Sequence, residues 1–274
     1  MSGPLKPIAG VQNIIPLKEL PSGYLVSAIG TDEVLFDTGY NVSGFSEKYI
    51  KNHPDNFQYA GSTFAQNASA YIVRGVKLKL GGGIEFSPTQ AVASPIIDAL
   101  EGSDKKHEWI AIIGADFLFR ASIFIDRDNL RLITNVNIKD QAKGDGWRSM
   151  QMNINDSSKH MNVAVTINGK VVQMMFDTGA SFTGITQACA QNIPSLMTVG
   201  GSSLHDTANQ VSLSQKTGDA QLTFAGHALT MPLSIDADSS HMSSIAKREG
   251  LCGLLGNDVL GNFNAVIDPT AMIV

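Results

Sequence analysis

Apolar and polar residues alternate along much of the chain with the period of two expected of half-buried strands. Residues 162–176 place Val163, Val165 and Ile167, then Val172, Met174 and Phe176, on one face around the dipeptide Asn168-Gly169. Asn-Gly between two alternating runs is a strong two-residue hairpin signal, because it supplies the positive φ angles that a tight turn needs. Residues 25–36 do the same around Gly30-Thr31-Asp32. Both predicted hairpins run directly into the tripeptide Asp-Thr-Gly, so Asp37 and Asp177 are each expected just beyond the end of a buried strand. Helical periodicity is weak. Short helices are predicted at 45–52, at 185–191 and in the segments starting at Ala115 and Asn257, while 137–150 is polar, carries two glycines and reads as a connection.

The pattern occurs twice. Phe36-Asp37-Thr38-Gly39 returns as Phe176-Asp177-Thr178-Gly179, and Ile112-Ile113-Gly114-Ala115-Asp116 returns as Leu254-Leu255-Gly256-Asn257-Asp258. Phe124-Ile125-Asp126 matches Val266-Ile267-Asp268, and Leu78-Lys79-Leu80-Gly81-Gly82 parallels Leu222-Thr223-Phe224-Ala225-Gly226. Four matches in one order and nearly one register describe a duplicated unit of roughly 120–140 residues, an ordinary lobe size. A given tripeptide occurs by chance in roughly 3% of chains of this length, so two copies amount to about one chance in a thousand before register is counted. The expected organisation is a first lobe over 1–136, a connection over 137–150 and a second lobe over 151–274.

Composition narrows the partners. Of the 274 residues 43% are hydrophobic and 16% charged, enough to bury a core and too apolar for disorder over most of the length. The net charge is -5, and Lys and Arg are scattered, which gives no electrostatic support for a nucleic-acid or anionic-membrane partner. No apolar run reaches the eighteen or so residues that span a bilayer; the best, 109–125, is interrupted by Asp116 and Arg120. The start, MSGPLKPIAG, lacks the features of a signal peptide, so a cytoplasmic location is the default and a secreted or periplasmic one applies if a leader was removed. Cys189 and Cys252 form no disulfide framework. Two idle thiols are the preferred reading, with one bridge inside the second half as the alternative. Neither cysteine has a ligand partner at metal spacing and the six histidines are dispersed, so no metal is expected; Gly81-Gly82-Gly83 is not followed by Lys-Ser/Thr, and no cofactor is expected.

The chemistry lies in the repeated aspartate. Two carboxylates close together cannot both ionise and therefore share one proton. The ionised member can take a proton from water attacking a peptide carbonyl, and the protonated member can hydrogen-bond the carbonyl oxygen. Gly39 and Gly179 let the backbone turn its N–H groups toward the carboxylates, and Thr38 and Thr178 can send hydroxyls across the junction between lobes. Asp116 and Asp258 are expected to cap or open the short helices that follow the apolar-Gly motifs.

Phe-Asp-Thr-Gly with a downstream apolar-apolar-Gly, twice over, resembles the pepsin-like and retropepsin-like aspartic proteases, from about Gly23 onward. The resemblance implies a mainly all-β, bilobal acid-protease fold of two retropepsin-like lobes, with the apolar-apolar-Gly segments beneath the catalytic loops. It implies an aspartic endopeptidase with Asp37 and Asp177 as catalytic residues, acting on a peptide or protein substrate in an inter-lobe cleft. A non-catalytic peptide-binding or scaffold protein on the same fold is the alternative. Where the family often has Ser or Thr after Asp-Thr-Gly, this chain has Tyr40 and Ala180, which predicts a dyad less acidic than pepsin's; Asn41 and Ser181 restore a small polar residue one position later. By position, hairpins covering the substrate fall near 59–71 and 204–211, with Tyr59, Phe64, Asn67, His205 and Asn209 as contacts. The segments 11–17, 134–139, 149–155 and 271–274 are implied to form the sheet joining the lobes. Because one chain carries both aspartates, a monomer is expected.

Overall fold

The computed structural model describes residues 13–30, 32–65, 68–81, 84–88, 90–99, 109–143, 146–207, 210–236 and 241–269. The first half contains β1 (Asn13–Pro16), β2 (Lys18–Glu19), β3 (Leu25–Ile29), β4 (Asp32–Phe36), β5 (Gly44–Ser46), α1 (Glu47–Asn52), β6 (Gln58–Ala65), β7 (Ala68–Arg74), β8 (Leu78–Lys79), β9 (Glu85–Phe86), β10 (Ala91–Ser94), α2 (Pro95–Ala99), β11 (Trp109–Ile113), α3 (Ala115–Leu118), β12 (Ile123–Asp126) and β13 (Arg131–Thr134). After α4 (Ile138–Gln141) come β14 (Met152–Ile154), β15 (Met161–Ile167), β16 (Lys170–Phe176), β17 (Gly184–Thr186), α5 (Gln187–Ala190), β18 (Thr198–Thr207), β19 (Gln210–Phe224), β20 (His227–Asp236), α6 (His241–Glu249), β21 (Gly253–Leu255), α7 (Asn257–Leu260) and β22 (Ala265–Ile267). The fold is mostly β.

Two eight-stranded sheets share one strand order. The first runs β2-β3-β4-β11-β5-β10-β7-β6 and the second β14-β15-β16-β21-β17-β20-β19-β18. Both predicted hairpins are present, as β3–β4 (Ser27↔Val34) and β15–β16 (Val165↔Val172), with Asn168 and Gly169 at φ 47 and 81 in the second turn. In each sheet the strand that ends at the aspartate lies parallel to an apolar strand from far downstream: β4 to β11 (Phe36↔Ile113) and β16 to β21 (Phe176↔Leu255). β11, sequence WIAII, is buried at all five positions, the pattern of a strand covered on both faces. β15 also pairs with β19, which closes the ring β15-β16-β21-β17-β20-β19.

A third sheet, β1-β13-β12-β22, joins the two halves of the chain. The sequence-similar segments around Phe124 and Val266 meet here as antiparallel neighbours (Phe124↔Val266). This sheet differs from the expected one. Of the four implied segments, 11–17 supplies β1 and 134–139 supplies only Thr134; 137–142 turns into α4, 149–155 pairs as β14 with β15, and 271–274 lies outside the described residues. The reason is burial. Ile123, Ile125 and Leu132 face the main core while Phe124, Ile133 and Val266 pack with Val136 and Trp147 on the other side, so β12 and β13 fill a two-faced position, whereas 149–155 is apolar only at alternate residues (Met150, Met152, Ile154). Burying one such side chain contributes about 1.5–3 kcal/mol.

The helices were only partly legible. Those expected at 45–52 and 185–191 begin as strands and become helical at α1 and α5, where Ser46 Oγ accepts Tyr49 N–H at 2.9 Å and Thr186 Oγ1 accepts Cys189 N–H at 3.1 Å. α2 and α6 were not expected. The cysteines are a further correction: Cys189 and Cys252 form a disulfide with a Cα–Cα distance of 5.2 Å. Sheet pairing explains it. Cys189 follows β17, Cys252 precedes β21, and these strands are antiparallel neighbours, with Thr186 N–H donating to the Cys252 carbonyl at 2.8 Å.

Candidate active site

Each aspartate is fixed by the parallel strand beside it. Asp37 N–H donates to the Ile113 carbonyl at 3.0 Å, and Asp177 N–H to the Leu255 carbonyl at 3.1 Å. This is the physical use of the two downstream apolar-apolar-Gly segments. Gly39 N–H and Tyr40 N–H then donate to Asp37 Oδ1 at 2.8 and 3.0 Å, and Gly179 N–H donates to Asp177 Oδ1 at 2.9 Å.

Between the two aspartate loops, Thr38 and Thr178 exchange four hydrogen bonds. Thr38 N–H donates to Thr178 Oγ1 at 3.1 Å and Thr178 N–H to Thr38 Oγ1 at 3.0 Å. The Thr38 hydroxyl donates to the Phe176 carbonyl at 2.7 Å, and the Thr178 hydroxyl to the Phe36 carbonyl at 2.9 Å. Both threonines are buried. The glycines complete the interlock: a Cβ on Gly39 would strike the carboxyl group of Asp177, and a Cβ on Gly179 would strike that of Asp37. Asp37 and Asp177 are within hydrogen-bonding reach of each other.

Both carboxyl groups of this pair are held above the ordinary carboxylate range. Burial raises Asp37 above the ordinary carboxylate range, opposed by hydrogen bonds from Asp177 and from the N–H groups of Gly39 and Tyr40. Asp177 lies well above that range, first through burial, then through the charge of Asp37 and the hydrogen bond it gives to Asp37. The protonated form therefore favours Asp177, although the titration belongs to the pair. Burial, followed by the charge of Asp37, pushes the Tyr40 phenol up to about 12, so it stays neutral.

A matching support lies behind each loop. Ser43 N–H and hydroxyl donate to Asp116 Oδ1 at 2.7 and 2.6 Å, and Ser43 Oγ accepts Gly114 N–H at 2.9 Å. Thr183 N–H and hydroxyl donate to Asp258 Oδ1 at 2.8 and 2.6 Å, and Thr183 Oγ1 accepts Gly256 N–H at 3.0 Å. Asp116 and Asp258 do stand in the first turns of α3 and α7, but they cap neither: the caps are Gly114 and Gly256, with no side-chain cap bond. Both carboxylates reach back to the loop instead. A Cβ on Gly114 would collide with the Tyr40 carbonyl, which is why only glycine fits there. Ser43 and Thr183 escaped the sequence reading; their signal was a hydroxyl residue at the same distance after each Asp-Thr-Gly.

The remaining expected residues divide. Ser181 is hydrogen-bonded to the hydroxyl of Tyr24, a mostly buried phenol raised by burial and within electrostatic reach of both Asp177 and Asp37; sequence reasoning did not find Tyr24. Asn41 is exposed. The hairpins near 59–71 and 204–211 exist as β6–β7 and β18–β19. Tyr59 is 67% exposed with its ring 5.8 Å from Tyr71. Phe64 lies in β6 and His205 in β18, while Asn67 and Asn209 fall outside the described residues. Among the described residues no group of three or more His, Cys, Asp or Glu gathers as a metal site would, and no helix is long and apolar enough to cross a membrane.

Comparison with known proteins follows the same line. Residues 163–262 match the family described as gag-polyprotein putative aspartyl protease. No curated protein matches the sequence. The basic 7S globulin from soybean is similar over 96% of this chain and 93% of its own, at 11% identity and a TM-score of 0.51, which shows the fold. Conglutin gamma from lupine seeds covers the same shares at 11% identity and a TM-score of 0.49. The EIAV protease, solved in complex with the inhibitor HBY-793, matches 39% of this chain and 91% of its own at 16% identity and a TM-score of 0.32. The family match supports a retropepsin-like aspartic protease relationship.

Proposed function

From that relationship we propose that the chain is an active aspartic endopeptidase, with Asp37 and Asp177 as its catalytic pair. The observation that carries the reading is the crossed interlock. Four hydrogen bonds and two glycines hold the carboxyl groups against each other, where burial leaves one proton for two acids. The ionised Asp37 takes a proton from a water molecule whose oxygen bonds to the scissile carbonyl carbon. Asp177 gives its proton to the carbonyl oxygen, forming a neutral diol. On collapse the C–N bond breaks, the amine takes the proton held by Asp37, and one diol hydroxyl returns a proton to Asp177. Water and one peptide bond are consumed; an acid and an amine are formed.

Substrate binds as an extended strand along the cleft between lobes, using main-chain hydrogen bonds. The hairpins β6–β7 and β18–β19, last in the order of their sheets, act as lids that exclude water. Phe182, one residue beyond Ser181 and 57% exposed, offers an apolar surface next to the second loop and favours apolar side chains beside the cleaved bond. The common strand order of the two sheets supports an internal duplication, with lobes over 1–136 and 151–274. Since one chain supplies both carboxylates, the working unit is a monomer.

Digestion of a denatured protein mixture tests the reading, with and without pepstatin, alongside Asp37→Asn and Asp177→Asn. Pepstatin-sensitive cleavage that both substitutions abolish is the expected result. No cleavage between about pH 3 and about pH 7, or undiminished cleavage by both variants, would reject the enzyme in favour of a non-catalytic peptide-binding protein on this fold.

A further inference from the structure

The connection between the halves does more than span a gap. Ile138, Ala142 and residues 146–150, together with the turn after β19 and the loop before β22, line an open cavity of about 300 Å³. Interiors of folded proteins rarely leave a space larger than a water molecule, whereas small-molecule sites begin near this size. The walls are aromatic and braced before any ligand arrives. Phe224 lies 5.6 Å from Phe263 and 6.4 Å from Phe176, and the His227 ring lies 5.2 Å from Phe263. Trp147, on the connection itself, is held edge-on against Phe124 at 5.9 Å. Flat rings in mutual contact present π-faces and edges suited to another ring.

Charge narrows the ligand. Arg148 and His227 line the cavity and are exposed, so they stand where it opens to solvent. Nη1 of Arg148 donates to the Trp147 carbonyl at 2.9 Å, which keeps the guanidinium beside the aromatic wall. An apolar chamber with a guanidinium and an imidazole at its mouth suits a ligand with an aromatic body and one anionic end, because a planar guanidinium matches a carboxylate in shape as well as charge. We propose that this cavity is a binding site for a small aromatic carboxylate, separate from the aspartate pair. It shares one wall with the aspartate loop: Phe176 lines it, and the Phe176 carbonyl is the acceptor of the Thr38 hydroxyl.

Calorimetric titration of the full chain with 2-naphthoate and with its neutral amide, 2-naphthamide, tests the site. The expected result is saturable 2-naphthoate binding with a Kd of about 1 mM or tighter, and about tenfold weaker binding of the amide. The exposed double substitution Arg148→Gln/His227→Gln removes the preference for the carboxylate. Ala142→Trp fills the chamber and abolishes binding of both probes. Asp37→Asn leaves both affinities unchanged, so the outcome is independent of whether the chain is a protease. No saturable binding of 2-naphthoate at millimolar concentration overturns the proposal, as does an undiminished carboxylate preference in the double variant. If Ala142→Trp fails to fold, the double variant decides alone.

Discussion

Thr38 and Thr178 each give a hydroxyl to the carbonyl before the other's aspartate and each accept the other's backbone N–H. Every one of these groups is buried, so breaking the exchange leaves donors and acceptors without water to replace them. Thr38→Val keeps the shape and removes one hydroxyl, orphaning the Phe176 carbonyl and the Thr178 N–H. At about 1–3 kcal/mol for each unsatisfied buried group, the expected loss of stability is about 2–5 kcal/mol in urea unfolding. A loss below about 0.5 kcal/mol would mean that the exchange does not hold the site together.

The aspartate pair predicts how stability depends on pH. A carboxyl group raised in the folded state keeps its proton there while the unfolded chain loses it. Its stabilising contribution is full below the ordinary aspartate range and is lost as pH rises through the folded value. Asp177 lies well above the ordinary range and is the main source of this slope. The unfolding free energy of the wild type should therefore fall with rising pH above about 4, by at most about 1.4 kcal/mol per pH unit for one proton, and the thermal midpoint should fall with it. Asp177→Asn should flatten the slope and be the more stable protein at neutral pH. Activity, requiring one proton on the pair, should peak in the mildly acidic range; a pH–rate maximum near pH 2 would contradict the raised pair.

Asp258 collects both the N–H and the hydroxyl of Thr183, and Asp116 does the same with Ser43. Asp258→Ala leaves these donors unpaired behind the second loop, and about 2–4 kcal/mol of stability should go with them. Peptidase activity should fall in the same variant even where it remains folded, because the loop carrying Asp177 loses its brace. Circular dichroism melts and kcat/KM measured on one preparation check both halves. Intact activity in a folded Asp258→Ala would restrict the carboxylate to a purely local role.

Cys189 and Cys252 close a loop with a sequence separation of 63. Chain entropy assigns such a crosslink about 4 kcal/mol. Dithiothreitol, or Cys189→Ser with Cys252→Ser, should lower the thermal midpoint measurably. An unchanged midpoint would show that sheet pairing alone holds α5 to the strand below it.

Much of the site was legible because it depends on local rules applied twice. A hairpin turn such as Asn168-Gly169 needs only its own residues, and a strand running into Asp-Thr-Gly can be read from alternation. The partners of β12 could not be read this way. Whether Phe124 faces a neighbour from residues 149–155 or from β22 is decided by two-sided burial in the assembled molecule. Residue spacing alone does not encode that. Asp116 shows the other gap: a carboxylate in the first turn of a helix looks like a helix-terminus residue until the fold brings Ser43 within 2.6 Å. The cysteines looked idle for the same reason, since only the antiparallel pairing of β17 with β21 brings them together.

The interlocked glycines also constrain how the two halves can change over time. The room a side chain would need at position 39 is filled by Asp177, and the room needed at position 179 is filled by Asp37. Neither loop can gain bulk there unless the opposite carboxyl group moves away, so a larger residue at either position demands a change in the loop opposite. One residue further on the restriction lifts, and the two loops differ, with Tyr40 in one and Ala180 in the other. The two loops are thus tied to each other at the centre and independent at the rim.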